Sequence, residues 1–370
     1  MERVCADRLL GRESIHVYGS AAKALVQGRT ILVTGAGGSI GSEIVRQMRV
    51  LGAGKTYYID NDEFALYNLQ MDQEGVALLD DDAYRLADIR DEQLMRRIMQ
   101  EVRPDVVFHA AAHKHLPLLE RAPEAAVKTN VFGTESVVRA AIAAGVDRVV
   151  NISTDKAANP TSALGWSKRL AEHVAGQLAE TSNTRLASVR FGNVLGSRGS
   201  FLPTMMTQIE RGQTIRITDP GVARYFMTIP EAAGLVIEAA CLAAHGETYV
   251  LDMGSPVPIE SLLSRYVELA GCPMPEVEYT GLRPGEKLSE ELFDLRETHS
   301  PTSHPKIMKA DVGPYPIDAV LALLHELIDH GAHPALVRDA LEFTTARKAY
   351  HGLDSHLLGA AGAARTGSLS

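Results

Sequence analysis

Apolar residues along this chain cluster in short continuous runs, and the runs alternate with stretches spaced as helices. Thr30–Thr34 is a β-branched run leading into glycines at 35, 37, 38 and 41, and from Ser42 to Leu51 apolar positions recur every three or four residues. That pattern predicts a strand, a tight turn and a helix. Further strands are predicted at 56–60, 84–89, 105–110, 148–153 and 184–191, with helices over 91–102, 123–144 and 164–181. Strands alternating with helices at this spacing predict an α/β chain with a Rossmann-type, doubly wound parallel sheet. In such a sheet ligands lie beyond the carboxyl ends of the strands, so the glycine loop, His109–His115 and Ser153–Lys156 converge on one crevice.

Past residue 192 the pattern loses its regularity. Loops at 192–200, 224–227 and 281–287 carry glycines and cations. Four segments are expected. Residues 1–28 form an N-terminal arm, with Ile15–Tyr18 alternating as a short strand. Residues 29–191 form the dinucleotide-binding domain, and 192–349 a smaller substrate-binding portion, interleaved with the sheet and helical over 316–349. The Gly-, Ala- and Ser-rich residues 350–370 read as a flexible tail.

Composition narrows the function classes. At 370 residues there is room for one large domain, or a large and a small one. A net charge of −9 and a pI near 5.8 argue against a nucleic-acid or anionic-membrane surface. Cys5, Cys241 and Cys272 stand far apart without metal-ligand spacing and read as thiols of a reducing compartment. No apolar run approaches the ~18–20 residues of a membrane helix, and the start lacks the apolar core of a signal peptide. The expectation is a soluble, cytoplasmic protein with neither membrane nor nucleic-acid partner.

The glycine run carries the first candidate chemistry. Gly35, Gly37, Gly38 and Gly41 follow a strand and open a helix, which lets backbone N–H groups approach a diphosphate at the helix N-terminus. Asp60 ends the next strand, nineteen residues after Gly41, where a carboxylate bonds ribose hydroxyls and repels a 2′-phosphate. NAD is therefore expected over NADP. Asp88 is placed for the adenine edge, and Ser39, Ile40, Ile89 and Ala110 complete the candidate cofactor-binding set. The segment 151–168 carries two polar clusters, Thr154–Asp155–Lys156 after a strand and Lys168 in the helix that follows.

Several motifs together resemble a known family. They are Thr-Gly-Ala-Gly-Gly-Ser-Ile-Gly-Ser-Glu (34–43), His-Ala-Ala-Ala-His-Lys-His (109–115), Ser-Thr-Asp-Lys-Ala-Ala-Asn-Pro (153–160), Arg-Phe-Gly-Asn-Val-Leu-Gly-Ser-Arg-Gly-Ser (190–200), Arg-Tyr-Phe-Met-Thr-Ile-Pro-Glu-Ala (224–232) and Arg-Pro-Gly-Glu-Lys-Leu (283–288). The chain resembles an extended short-chain dehydrogenase/reductase of the polysaccharide-biosynthesis type, most of all the UDP-N-acetylglucosamine 4,6-dehydratases. Residues 7–12 resemble the segment ahead of the catalytic domain in membrane-anchored members.

The resemblance implies a redox-neutral elimination. Hydride leaves sugar C4 for NAD, the ketone acidifies C5, water departs across C5–C6, and hydride returns to C6. Lys156 is implied as the C5 base and Asp155 as the acid, with Thr154 on the 4-oxygen; the Asp155 and Lys156 roles are interchangeable on sequence. Both groups are expected to move toward neutrality, lysine down by desolvation and a nearby cationic cofactor, aspartate up by burial. Lys168 is implied at the nicotinamide ribose. The wider superfamily places a tyrosine four residues before that lysine, where this chain has Leu164; Asp155, through Thr154, is expected to take the 4-hydroxyl proton instead. Trp166 stands where a small residue is usual. Lys114, Asn193, Arg198, Arg224 and Arg283 are implied as contacts to the sugar and diphosphate, while Glu286 and Lys287 position their loop. His109, His113 and His115 lack a carboxylate or cysteine set, so no metal is expected. Pairing through helices of the Rossmann half, common in the superfamily, implies a homo-oligomer. Two readings compete with UDP-N-acetylglucosamine dehydration: a C4 epimerase, or a dehydratase of a GDP- or TDP-hexose. A non-catalytic nucleotide-sugar binder is the alternative of another class.

Overall fold

The computed structural model describes residues 6–12, 19–313 and 315–345. Its centre is a nine-stranded sheet. The strands in chain order are β1 (Thr30–Thr34), β2 (Lys55–Asp60), β3 (Tyr84–Leu86), β4 (Val106–His109), β5 (Arg148–Ile152), β6 (Arg185–Arg190), β7 (His245–Leu251), β8 (Thr298–Pro301) and β9 (Ile307–Asp311). In space they run β8-β9-β7-β6-β5-β4-β1-β2-β3. The pairs from β3 across to β7 are parallel, and β9 and β8 add an antiparallel edge. Ile31, Leu32, Val33, Val106, Val107, Phe108, Val149 and Val150 are fully buried because helices cover both faces, which is why these strands read as unbroken apolar runs. Chain order reverses beside β1, whose neighbours are β2 and β4, and the crevice opens there.

The helices are α1 (Ala6–Leu10), α2 (Ser20–Val26), α3 (Ser39–Leu51), α4 (Glu63–Glu74), α5 (Glu92–Val102), α6 (Gly133–Ala143), α7 (Ala163–Glu180), α8 (Phe201–Glu210), α9 (Ile229–Leu242), α10 (Ile259–Ala270), α11 (Ile317–Asp329) and α12 (Pro334–Thr345). Side-chain caps set several starts: Asp62 accepts from Ala65 N, Asp91 from Leu94 N and Ser162 from Gly165 N.

Four features depart from the sequence pattern. The arm is helical at Ala6–Leu10 and Ser20–Val26, while Ile15–Tyr18 and the tail at 350–370 lie outside the described residues. Helix α4 has no counterpart in the apolar pattern because Phe64, Tyr67 and Met71 lie on its exposed side. The single helix expected over 123–144 is interrupted by a π-helical turn, Val127–Phe132, between a short helix at Pro123–Ala126 and α6. The region after 192 is more regular than its pattern, holding α8, α9 and α10 and contributing β7, β8 and β9 to the main sheet.

The C-terminal pair α11 and α12 packs on α7. Trp166, Leu170 and Val174 of α7 share an apolar cluster with Val320, Leu324, Val337 and Leu341. This accounts for Trp166, whose indole N–H donates to the Pro160 carbonyl at 3.2 Å while the Arg338 guanidinium lies 5.4 Å from its ring centre. Arg338 also reaches Glu120 at 3.1 Å, and Glu120 accepts from Ala163 N at the start of α7. Covered this way, α7 has no exposed residue before Glu180.

Candidate active site

The glycine loop is shaped by backbone that side chains would block. Gly35 has φ +64°, and a Cβ on it would lie 2.6 Å from Ala111 N; a Cβ on Gly41 would lie 2.1 Å from the Gly35 carbonyl oxygen. Helix α3 starts at Ser39 with no side chain capping its first turn, so its N–H groups are free for an anion. Asp60 closes the loop from β2: one oxygen accepts from Gly37 N at 2.9 Å, the other from Asp62 N at 3.1 Å. The donors, the close backbone approach and the acid at the end of β2 fit a dinucleotide.

The other expected cofactor residues border the same place. Ala110 N donates to the Thr34 carbonyl, joining the ends of β4 and β1. Asp88 lies just past β3 and is gripped by Arg90, whose guanidinium holds the carboxyl below its ordinary range. Buried Ile89 packs against Gly133 at the start of α6. Ile40 lies half-buried in the first turn of α3. Arg198 lies over the loop rather than apart from it, donating from its guanidinium to the Gly37 carbonyl and from its backbone N–H to Ser39 Oγ at 3.0 Å.

Past β5 the chain turns through a short 3-10 segment, Asp155–Ala157. Thr154 Oγ1 and Lys156 Nζ both donate to Asp155 Oδ1, each at 2.9 Å. Asp155 is 1% exposed, and its Oδ2 is buried without a hydrogen-bond partner. That oxygen lies 2.8 Å from where a Cβ on Gly192 would be, so only glycine leaves it room. Lys156 Nζ also reaches Asn193 Oδ1 at 3.4 Å and Glu290 Oε1 at 3.7 Å. Burial disfavours its charge, but Asp155 and then Glu290 outweigh burial and hold the amine above its ordinary value. Desolvation alone thus does not lower Lys156 as expected, because the sequence showed one carboxylate beside it and the fold brings two.

Lys168 behaves as expected of a desolvated lysine. It is 5% exposed, it donates to the Ile152 carbonyl, and burial lowers it to about 8 despite Glu172 nearby. Leu164, one turn earlier, is buried in the cluster beneath the C-terminal helices and brings no proton-bearing group. His109 is buried between two hydroxyls, with Nδ1 2.7 Å from Thr34 Oγ1 and Nε2 3.0 Å from Thr134 Oγ1; burial, then Lys168, lowers it to about 3. Asn130, in the π-helical turn, bonds both the N–H and the carbonyl of His113 and donates to Ser167 Oγ. The turn thereby pins the loop after β4 to helix α7.

A buried ionic network supports the floor of the site. Ser153 Oγ donates to Glu172 at 2.6 Å, and Arg190 is clasped between Glu172 at 2.7 Å and Glu297 at 2.8 Å. The loop around 283–291 forms one wall. Thr161 Oγ1 donates to the Gly285 carbonyl, Asn159 to Glu291, and Lys287 to the Asn159 carbonyl. Arg224 is buried and committed to this wall, with bonds to the Ala223 and Leu288 carbonyls and to Glu286. Arg283 is exposed on the same loop, and its backbone N–H donates to Glu286. Lys114 is held below its ordinary value by desolvation and by Arg198. Sequence reasoning missed Glu290, whose only signal was a pair of acids after the Arg-Pro-Gly-Glu-Lys motif.

A model of the polysaccharide biosynthesis protein family matches residues 31–312. The chain belongs to this family. The probable polysaccharide biosynthesis protein EpsC of Bacillus subtilis is 43% identical to this family member over 323 residues, covering 85% of this chain and 53% of EpsC. The capsular polysaccharide biosynthesis protein CapD of Staphylococcus aureus is 40% identical over 344 residues, covering 92% of this chain and 57% of CapD. The chain thus spans about half the length of these two relatives. A UDP-glucose 4-epimerase of Rickettsia rickettsii is 33% identical over 278 residues, 73% of this chain and 79% of the epimerase. The X-ray structure of Pen from Bacillus thuringiensis, 32% identical, superposes with a TM-score of 0.69 over 79% of this chain and 90% of its own. DesIV from Streptomyces venezuelae, a dTDP-glucose 4,6-dehydratase solved with NAD bound, superposes with a TM-score of 0.64 over 72% of this chain and 88% of its own at 24% identity, a likeness of fold.

Proposed function

We propose that this family member is a nucleotide-sugar 4,6-dehydratase working with NAD, with UDP-N-acetylglucosamine as its substrate. The observation that carries the reading is Asp155, which binds Thr154 and Lys156 through one oxygen and keeps the other buried and unpaired. An unpaired buried oxygen costs about 1–3 kcal/mol, a cost that points to a functional rather than a stabilising role for Asp155. A carboxylate and an amine 2.9 Å apart supply the acid and the base that an elimination across neighbouring carbons needs. The family, the epimerase relative and the DesIV fold support a nucleotide sugar and NAD.

When bound, NAD supplies reversible acceptance of a hydride from a sugar carbon. The residues do the rest. Gly35, Gly37, Gly38, Ser39, Ile40 and Gly41 would hold the cofactor's diphosphate, and Arg198, bonded to the same loop, would add a positive charge there. Asp60 takes the adenosine ribose, Asp88, Ile89 and Ala110 border the adenine, and Lys168 orients the nicotinamide ribose. Thr154 holds the sugar's 4-oxygen. Asp155 takes the 4-hydroxyl proton, a task closed to Leu164, and returns it to the departing C6 hydroxyl, so water leaves with its atoms balanced. Lys156 takes the C5 proton and later gives it back. Its resting ammonium loses a proton to solvent, to which its side chain is 20% exposed, before it acts as that base. Lys114, Asn193, Arg224 and Arg283 hold the nucleotide sugar.

The competing reading is C4 epimerisation, which the Rickettsia relative favours. Incubation with UDP-N-acetylglucosamine in deuterated water separates the two. Dehydration gives a product about eighteen mass units lighter, before the deuterium correction, labelled at C5. Epimerisation gives an unlabelled product of unchanged mass. Absence of reaction with every UDP-, GDP- and TDP-hexose would sink both and leave a nucleotide-sugar binder.

A further inference from the structure

Glu290 differs from the other acids of its loop. Glu286 is taken by Arg224 and Thr218, and Glu291 by Asn159. Glu290 turns inward and is 6% exposed, and among the described residues Lys156 is its only ion-pair partner, at 3.7 Å. A buried carboxylate is costly unless a counter-charge offsets it. Here that counter-charge is the amine at the centre of the site.

The surroundings of Lys156 match an ammonium. Such a group has three N–H donors. Asp155 Oδ1 at 2.9 Å and Asn193 Oδ1 at 3.4 Å accept from it, and Glu290 Oε1 stands 3.7 Å away as a second negative charge. The three come from separate stretches of chain: the 3-10 turn, the segment after β6 and the 283–291 loop. Thr154 adds a hydroxyl bonded to Asp155, and Arg224 opposes the charge from further away. The Glu290 contact is longer than a hydrogen bond, so it acts through charge and leaves space between the groups.

We propose that Glu290 is a positioning residue of this site, a second counter-charge that holds the Lys156 ammonium opposite Asp155 and sets the pH at which that amine gives up its proton. The inference rests on the dehydratase reading for its catalytic meaning, but its physical content is tested without substrate. Removing a negative neighbour makes an ammonium easier to deprotonate, so a Lys156-dependent limb of any pH–rate profile moves to lower pH in Glu290→Gln. The direction is the same whether Lys156 works as base or as acid. A residue that merely packed the loop would leave the limb in place.

The experiment is competitive acetylation of the full chain with acetic anhydride across pH, read at the Lys156 peptide by mass spectrometry. An amine reacts only when neutral, so the midpoint reports its protonation. In Glu290→Gln the midpoint is expected to fall by at least about one pH unit, a tenfold change in proton affinity. Glu290→Asp, which keeps the charge, restores most of it and serves if the glutamine variant does not fold. An unchanged midpoint in Glu290→Gln, or a shift of the same size in both variants, overturns the inference. Because labelling needs no sugar, that result stands apart from the deuterium test, whose failure in wild type would overturn the dehydratase reading alone.

Discussion

Replacing Asp155 by asparagine removes one charge from the centre of the site and barely changes its shape. Asp155 Oδ1 already accepts from Thr154 and Lys156, each at 2.9 Å. The amide oxygen must stay there, which turns the new NH2 towards Gly192, where Oδ2 had no partner. The ammonium then loses a charge at 2.9 Å, worth at most about 6 kcal/mol at an effective dielectric near 20. Loss of a positioned acid–base group costs about 10²–10⁴ in rate, or about 3–5 kcal/mol of barrier. The expectation is that Asp155→Asn folds, binds NAD and fails at the first step, because nothing takes the 4-hydroxyl proton. Rapid mixing of NAD-loaded enzyme with UDP-N-acetylglucosamine, followed at 340 nm, reads that step directly. NAD reduction at the wild-type rate would refute the assignment and move the proton to another group.

Arg198→Ala is expected to loosen the cofactor, so that protein-bound NAD after gel filtration falls well below wild type; equal retention argues against a diphosphate contact. Trp166→Ala empties a large buried site under the C-terminal helices and is expected to cost about 3–5 kcal/mol in denaturant unfolding; a loss under 1 kcal/mol refutes the packing account. Lys168 is lowered to about 8 from an ordinary 10.5, so between those values the unfolded chain holds a proton that the folded chain has released, and stability rises with pH. Lys168→Met abolishes that rise. Relative to wild type its melting temperature gains most near pH 7 and progressively less towards pH 10.5, whereas a difference flat in pH excludes a desolvated lysine.

The first half of the sheet was legible because its strands are buried on both faces and therefore apolar throughout. The glycine loop was legible because close backbone approach leaves few residue choices. Helix α4 was hidden by its outward Phe64 and Tyr67, which spoil any one-sided stripe. The π-helical turn left no mark, since Val127–Phe132 is as compatible with an α-helix as with the wider turn. Glu290 and Arg198 were hard to place for another reason. Each sits in a polar loop without periodicity, and what it touches is decided by tertiary packing. Leu164 and Trp166 show the same limit: the motif gives their positions, and only the packing shows the C-terminal helices covering both.

Trp166 is the chain's single tryptophan, and it lies where the last two described helices meet the helix that carries Lys168. Intrinsic fluorescence excited at 295 nm therefore reports on one joint alone. While α11 and α12 stay seated, emission should be blue and poorly quenched by acrylamide; once they lift, the indole meets water and the signal reddens. Titrating NAD or a nucleotide sugar while watching that single band would show, without any label, whether filling the crevice tightens the far side of the same helix.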